Sequence, residues 1–181
     1  MHNLFTWAQT GVETPAYSSP EARAQGIEDG AFRSKDEQID DLRDTHARLV
    51  EAIAAMPPDK WAFEFGAQGS AAKLVWRRLR EVEVHHVDLD LGYAPADWPE
   101  AFTHRLIHEL ITDRPRATGE MPAVAFAIDG MPHVPGLGAG PARVTVTGSP
   151  ADVAAWLSGR SAGDGLKTSG DEPLPALSNW M

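Results

Sequence analysis

The sequence predicts an α+β fold, with a helical N-terminal region of about residues 1–115 and a small α/β C-terminal domain over 121–181. Three observations carry this. Apolar residues recur at helical spacing through Lys35–Met56, Leu74–Leu91 and Pro99–Thr112. The segment Arg114-Pro115 to Met121-Pro122 reads as a linker. Beyond it, the runs Ala123–Ile128 and Ala142–Thr147, separated by a Gly/Pro-rich segment, look like strands.

The composition narrows the classes of function. At 181 residues with 43% hydrophobic content, the chain can bury a core, and disorder is excluded as its main state. Sixteen basic against 26 acidic residues give a net charge of -10, which repels nucleic acid. No run is long and apolar enough for a membrane span and no signal-peptide pattern opens the chain, so the expected compartment is the cytoplasm. Without any cysteine, disulfides, thiolate nucleophiles and cysteine-based zinc sites are ruled out. A thiol in the chemistry would have to arrive as a small molecule.

Residues 1–10 read as the end of a helix, since Leu4, Phe5, Trp7 and Ala8 fit one while no capping residue leads in. Thr10-Gly11 terminates it. Ser19-Pro20-Glu21 combines a cap, a first-turn proline and an acid, so a helix is expected from there to about Gly30. The next helix should turn Ile39, Leu42, His46, Leu49, Val50, Ile53 and Met56 inward, and Pro57-Pro58 closes it. Trp61–Phe65 is expected to be turn-rich and extended, and Gln68-Gly69-Ser70 to lead into a helix ending near Gly92. Phe102, Leu106, Ile107 and Leu110 form the inward stripe of the following helix. Ser149-Pro150 opens a short one through Trp156 to Ser158, followed by the glycine-rich turn Gly159–Gly165. That turn lacks the Lys-Ser/Thr ending of a phosphate loop.

The helix from Leu74 to Leu89 carries the chemistry. At 3.6 residues per turn, Leu74, Arg78, Glu81, His85 and Asp88 share one line. Apolar stripes flank it, Val75, Leu79, Val82 and Leu89 on one side and Val84, Val87 and Leu91 on the other, so the line should be at least half buried. Glu81 and His85 stand one turn apart, and a carboxylate oxygen and a neutral ring nitrogen can meet on one zinc. The same spacing also suits a plain ion pair or a packed core histidine, and spacing alone leaves these readings open. His104 and His108 repeat the spacing but point away from their apolar stripe, which fits a solvated face. His46, on an apolar stripe, is a reserve candidate only.

Two stretches together, Trp7–Arg23 and Arg80-Glu81-Val82-Glu83-Val84-His85-His86-Val87-Asp88-Leu89, resemble the mycothiol-dependent maleylpyruvate isomerases. Ser158-Gly159-Arg160, Gly163-Asp164-Gly165 and the closing Trp180 are similar to that family's tail. The resemblance covers nearly the whole chain and implies a DinB-like metal-binding helical bundle with a small α/β domain behind it. It further implies Zn2+ and mycothiol as cofactors, Glu81 and His85 as zinc ligands, and Arg160 as the catalytic arginine that the family needs for activity. Arg23, within Pro20-Glu21-Ala22-Arg23, is implied to face the substrate carboxylates.

The implied reaction is cis–trans isomerisation of maleylpyruvate to fumarylpyruvate, by thiolate addition to the double bond, rotation and elimination. Zinc would lower the thiol pKa. Two alternatives stand beside it: a mycothiol S-transferase on the same scaffold, and an inactive truncated relative. The latter follows because the family's third zinc ligand is a histidine on an N-terminal helix, upstream of the segment matching Leu4–Trp7. His2 lies about two turns beyond that position, roughly 10–13 Å along a helix. A start assigned too late would account for the same departure.

Overall fold

The computed structural model describes residues 1–66, 69–118, 122–170 and 172–177, with only the backbone for 114–118. Gln68, Met121 and Trp180 lie outside the described residues. Among the described residues are six α-helices and a three-stranded sheet. The helices are α1 (His2–Thr10), α2 (Pro20–Ala31), α3 (Lys35–Ala54), α4 (Ala71–Asp88), α5 (Glu100–Thr118) and α6 (Pro150–Ser158). The strands are β1 (Val124–Ile128), β2 (Val144–Gly148) and β3 (Lys167–Thr168). The chain divides into two compact units, Met1–Leu79 and Arg80–Met181. The α+β class expected from the sequence is the one observed.

In the first unit, local chemistry sets the helix ends. Gly11 closes α1 in the left-handed region at φ 73°, and Ser19 caps α2 by accepting a hydrogen bond from the Ala22 N–H. At the start of α3, Ser34 accepts from the Glu37 N–H while the Glu37 carboxylate accepts from the Ser34 N–H, a reciprocal capping box. Phe5, Ala8, Leu49, Met56, Phe65, Ala71 and Leu74 make the core of this unit. Edge-on aromatic contacts join Phe5 to Trp61 and Trp7 to both Phe63 and Phe65. The Gln9 amide donates to the Ala52 carbonyl at 3.0 Å, tying α1 to α3.

Three expectations need correction here. Only part of the α3 stripe turns inward: Leu49 and Met56 are buried, while Leu42, His46 and Val50 are exposed. Periodicity shows which residues share a face, whereas burial needs a neighbour on that face. Trp61–Phe65 is turn-rich but only partly extended: Trp61 and Ala62 end a 3-10 helix, Pro58–Ala62, whose first turn Pro58 presets, while Glu64 bridges to Ser70. α4 stops at Asp88, short of Gly92, where Asp90 takes a left-handed φ of 52° that an α-helix cannot absorb.

In the second unit, Phe102, Leu106, Ile107 and Leu110 of α5 are buried as their periodicity predicts. Val153, Trp156 and Leu157 of α6, with Val124, Leu137 and Val146, are buried in the same unit. The stretch expected to be a linker is helical through Thr118. Pro115 falls within the last turn of α5, where a missing N–H removes one hydrogen bond without ending the helix.

β1 and β2 pair in parallel, Val124 opposite Val144 through Ile128 opposite Gly148, and β3 joins β2 antiparallel. No helix connects the parallel pair. Instead the connection doubles back along the free side of β1, where Val124 and Leu137 exchange both backbone hydrogen bonds at 2.9 Å. β3 is too short to leave a period-2 signature in the sequence.

Candidate metal centre

Glu81 and His85 sit on α4 and converge: Glu81 Oε2 lies 3.4 Å from His85 Nε2. Two donors about 2.1 Å from a tetrahedral zinc lie about 3.4 Å apart, so one carboxylate oxygen and one ring nitrogen are spaced as two ligands of that ion. The donor set fits zinc at these two positions. Among the described residues, no group of three His, Cys, Asp or Glu side chains gathers around a common point.

The pair is less buried than its flanking stripes suggest. The side chain of His85 is 53% exposed and that of Glu81 36%. The physical reason is that Val75, Leu79 and Val82 are themselves exposed, and Leu89 and Leu91 lie beyond the end of the helix. Of the flanking residues, Val84 alone is fully buried.

Glu81 is held from its other oxygen. Arg80 Nη2 stands 3.6 Å from Glu81 Oε1, and the same guanidinium pairs with Glu109 of α5. Arg80 therefore ties the carboxylate of the candidate ligand to the body of the second unit.

His85 is held from its other nitrogen. Nδ1 lies 2.7 Å from Asp88 Oδ2. Asp88 in turn accepts from Arg160, Nε to Oδ1 at 3.0 Å and Nη2 to Oδ2 at 2.7 Å. Arg160 Nη1 donates to the Ser158 carbonyl at 2.7 Å. The Arg160 hydrogen bond, and after it that of His85, holds the Asp88 carboxyl below its usual range.

Arg160 owes its position to the end of α6. Gly159 closes that helix at φ 77°, and the Arg160 N–H then donates to the Ala155 carbonyl at 2.8 Å. The structure therefore brings three of the four sequence-derived site residues, Glu81, His85 and Arg160, into one network. Arg160 touches neither Glu81 nor His85 directly; Asp88 lies between. Arg23 stands on exposed α2 in the first unit and makes no ion pair among the described residues.

Asp88 is the member of this network that sequence reasoning left without a role. It lies on the line of Glu81 and His85, three residues past the histidine, which is the available signal. The other histidines stay apart. His86 stacks on Tyr93 with ring centres 4.1 Å apart, and His104 faces Glu100 at 3.9 Å. No helix among the described residues is long and apolar enough to cross a membrane.

Comparison with known proteins identifies the family. The model of the mycothiol maleylpyruvate isomerase N-terminal domain matches residues 1–90, and that of the family's C-terminal domain matches residues 97–177. A crystal structure of the mycothiol-dependent maleylpyruvate isomerase is similar at 33% identity and a TM-score of 0.82, covering 99% of this chain and 75% of that one. A structure of a mutant of that isomerase, with one histidine replaced by alanine, gives the same values. No curated protein matches the chain. With helical and sheet regions both matched along nearly their full length, the chain belongs to the mycothiol maleylpyruvate isomerase family.

Proposed function

We propose that the chain is a zinc- and mycothiol-dependent isomerase that converts maleylpyruvate to fumarylpyruvate. The observation that carries this reading is the Glu81–His85 pair, 3.4 Å apart on α4, in a chain of this family. Glu81 and His85 would hold the metal. Bound there, zinc would supply a Lewis acid that lowers the pKa of a coordinated thiol, and the family's dependence on mycothiol supports that thiol as its partner.

The chain's own residues do the rest. Arg80, 3.6 Å from Oε1, holds the Glu81 carboxylate by the oxygen that does not face His85. Arg160 adds positive charge on the Asp88 side of the histidine, where negative charge developing on the substrate would be stabilised.

The test begins with the metal. Purified protein dialysed against a weak chelator is expected to retain close to one zinc per chain, and His85→Ala to lose it. Incubation with maleylpyruvate and mycothiol is expected to yield the trans isomer with the thiol regenerated. A stable thioether in its place would assign the chain to mycothiol transfer, and a metal-free, inactive protein would overturn the proposal.

A further inference from the structure

We propose that Asp88 is a positioning residue, which holds the His85 proton on Nδ1 so that Nε2 presents its lone pair toward Glu81, with Arg160 holding Asp88 in place. This rests on the reading of Glu81 and His85 as metal ligands. It assigns a role to Asp88 and places Arg160 one step behind the metal ligand rather than on it.

The argument follows from donor and acceptor counting. A neutral imidazole has one N–H and one lone pair, and an ionised carboxylate only accepts. In the neutral ring that a metal ligand requires, the nitrogen 2.7 Å from Asp88 Oδ2 therefore carries the hydrogen, which leaves Nε2 as the acceptor or metal-binding atom. Glu81 competes, because its own carboxylate would favour a proton on Nε2. The distances decide: 2.7 Å to Asp88 is a full charge-assisted hydrogen bond, whereas 3.4 Å to Glu81 is not. Without Asp88, the nearest carboxylate would be Glu81, and the proton would move to the nitrogen that the metal needs.

Asp88 could turn away if it were free. It sits at the last residue of α4 with its side chain 37% exposed, and within the helix His85 alone meets its carboxylate. Arg160 supplies the constraint. Its guanidinium meets both carboxylate oxygens, is itself only 15% exposed, and is anchored to the carbonyl of buried Ser158. A planar fork of this kind fixes orientation in a way that a lysine ammonium does not. Outer-sphere carboxylates behind a metal-binding histidine commonly change metal affinity by about 10–100-fold.

Two readouts on the full chain test this. Long-range proton–nitrogen correlation of the imidazole in chelator-treated protein reports the tautomer directly, and zinc competition against a chromogenic chelator reports affinity. In the unmodified chain His85 is expected to be protonated at Nδ1. Asp88→Ala is expected to move the proton to Nε2 and to weaken zinc binding by about 10–100-fold. Arg160→Lys, which keeps the charge but loses the fork, is expected to shift both readouts in the same direction and by less.

If Asp88→Ala fails to fold, Arg160→Lys decides by the same two signals. A zinc affinity within two-fold of the unmodified chain overturns the proposal, as does a His85 proton that stays on Nδ1. Should the unmodified chain bind no zinc at all, the metal reading fails separately. The tautomer then decides alone: its loss in Asp88→Ala upholds the positioning role, and its persistence overturns it.

Discussion

Arg160 grips Asp88 with two nitrogens, Nε on Oδ1 at 3.0 Å and Nη2 on Oδ2 at 2.7 Å, across 72 positions of sequence. The pair connects the segment after α6 to the last turn of α4, the helix that carries Glu81 and His85. Replacing Arg160 by Met in zinc-loaded protein should lower turnover by about 10–100-fold, through the freed Asp88 and the lost charge. Steady-state isomerase rates with mycothiol present would show it. Undiminished turnover would remove Arg160 from the mechanism.

The same grip depends on Gly159. Its φ of 77° lies in the left-handed region, and a Cβ there would meet no atom within 4 Å. Gly159→Ala should therefore cost only backbone strain, about 1–2 kcal/mol. Urea denaturation curves of the two proteins would measure it, with an unchanged slope and a lower midpoint expected.

Leu106 and Leu42 separate burial from periodicity. Both occupy predicted inward stripes, yet Leu106 is 0% exposed and Leu42 59%. Leu106→Ala should destabilise by about 2–5 kcal/mol, through lost transfer energy and the cavity left behind. Leu42→Ala should stay within about 0.5 kcal/mol, as surface substitutions usually do. Chemical denaturation of both variants against the unmodified chain is the check.

Tyr93 gives a pH dependence of definite sign. Burial first, then its hydrogen bond to Glu83 at 2.5 Å, pushes the phenol from 10.0 up to about 12. The folded state keeps this proton in a window where the unfolded chain releases it. The contribution is thus complete below pH 10 and is lost as pH rises toward about 12. Tyr93→Phe should flatten that part of the stability profile. Denaturation midpoints measured across this window, alongside phenolate absorbance, would reveal it.

The sequence by itself determined the helices with strong local signals. Ser19-Pro20 and Ser149-Pro150 start helices where their caps sit, Gly11 and Gly159 end them, and the α5 stripe is buried as its period implies. These features depend on neighbours within a turn or two, so they are written in adjacent residues. The convergence of Glu81 and His85 belongs to the same class, because the spacing of one helix dictates it.

Tertiary structure alone decided what lies far apart in sequence. Whether a stripe is covered depends on a partner element, which is why Leu49 is buried and Leu42 is not. The parallel pairing of β1 with β2, and the return of Leu137 along β1, arise from hydrogen bonds between distant segments. The link from Arg160 through Asp88 to His85 is of that kind. No local pattern predicts it, because an arginine and a carboxylate can pair wherever the folded chain brings them within about 3 Å.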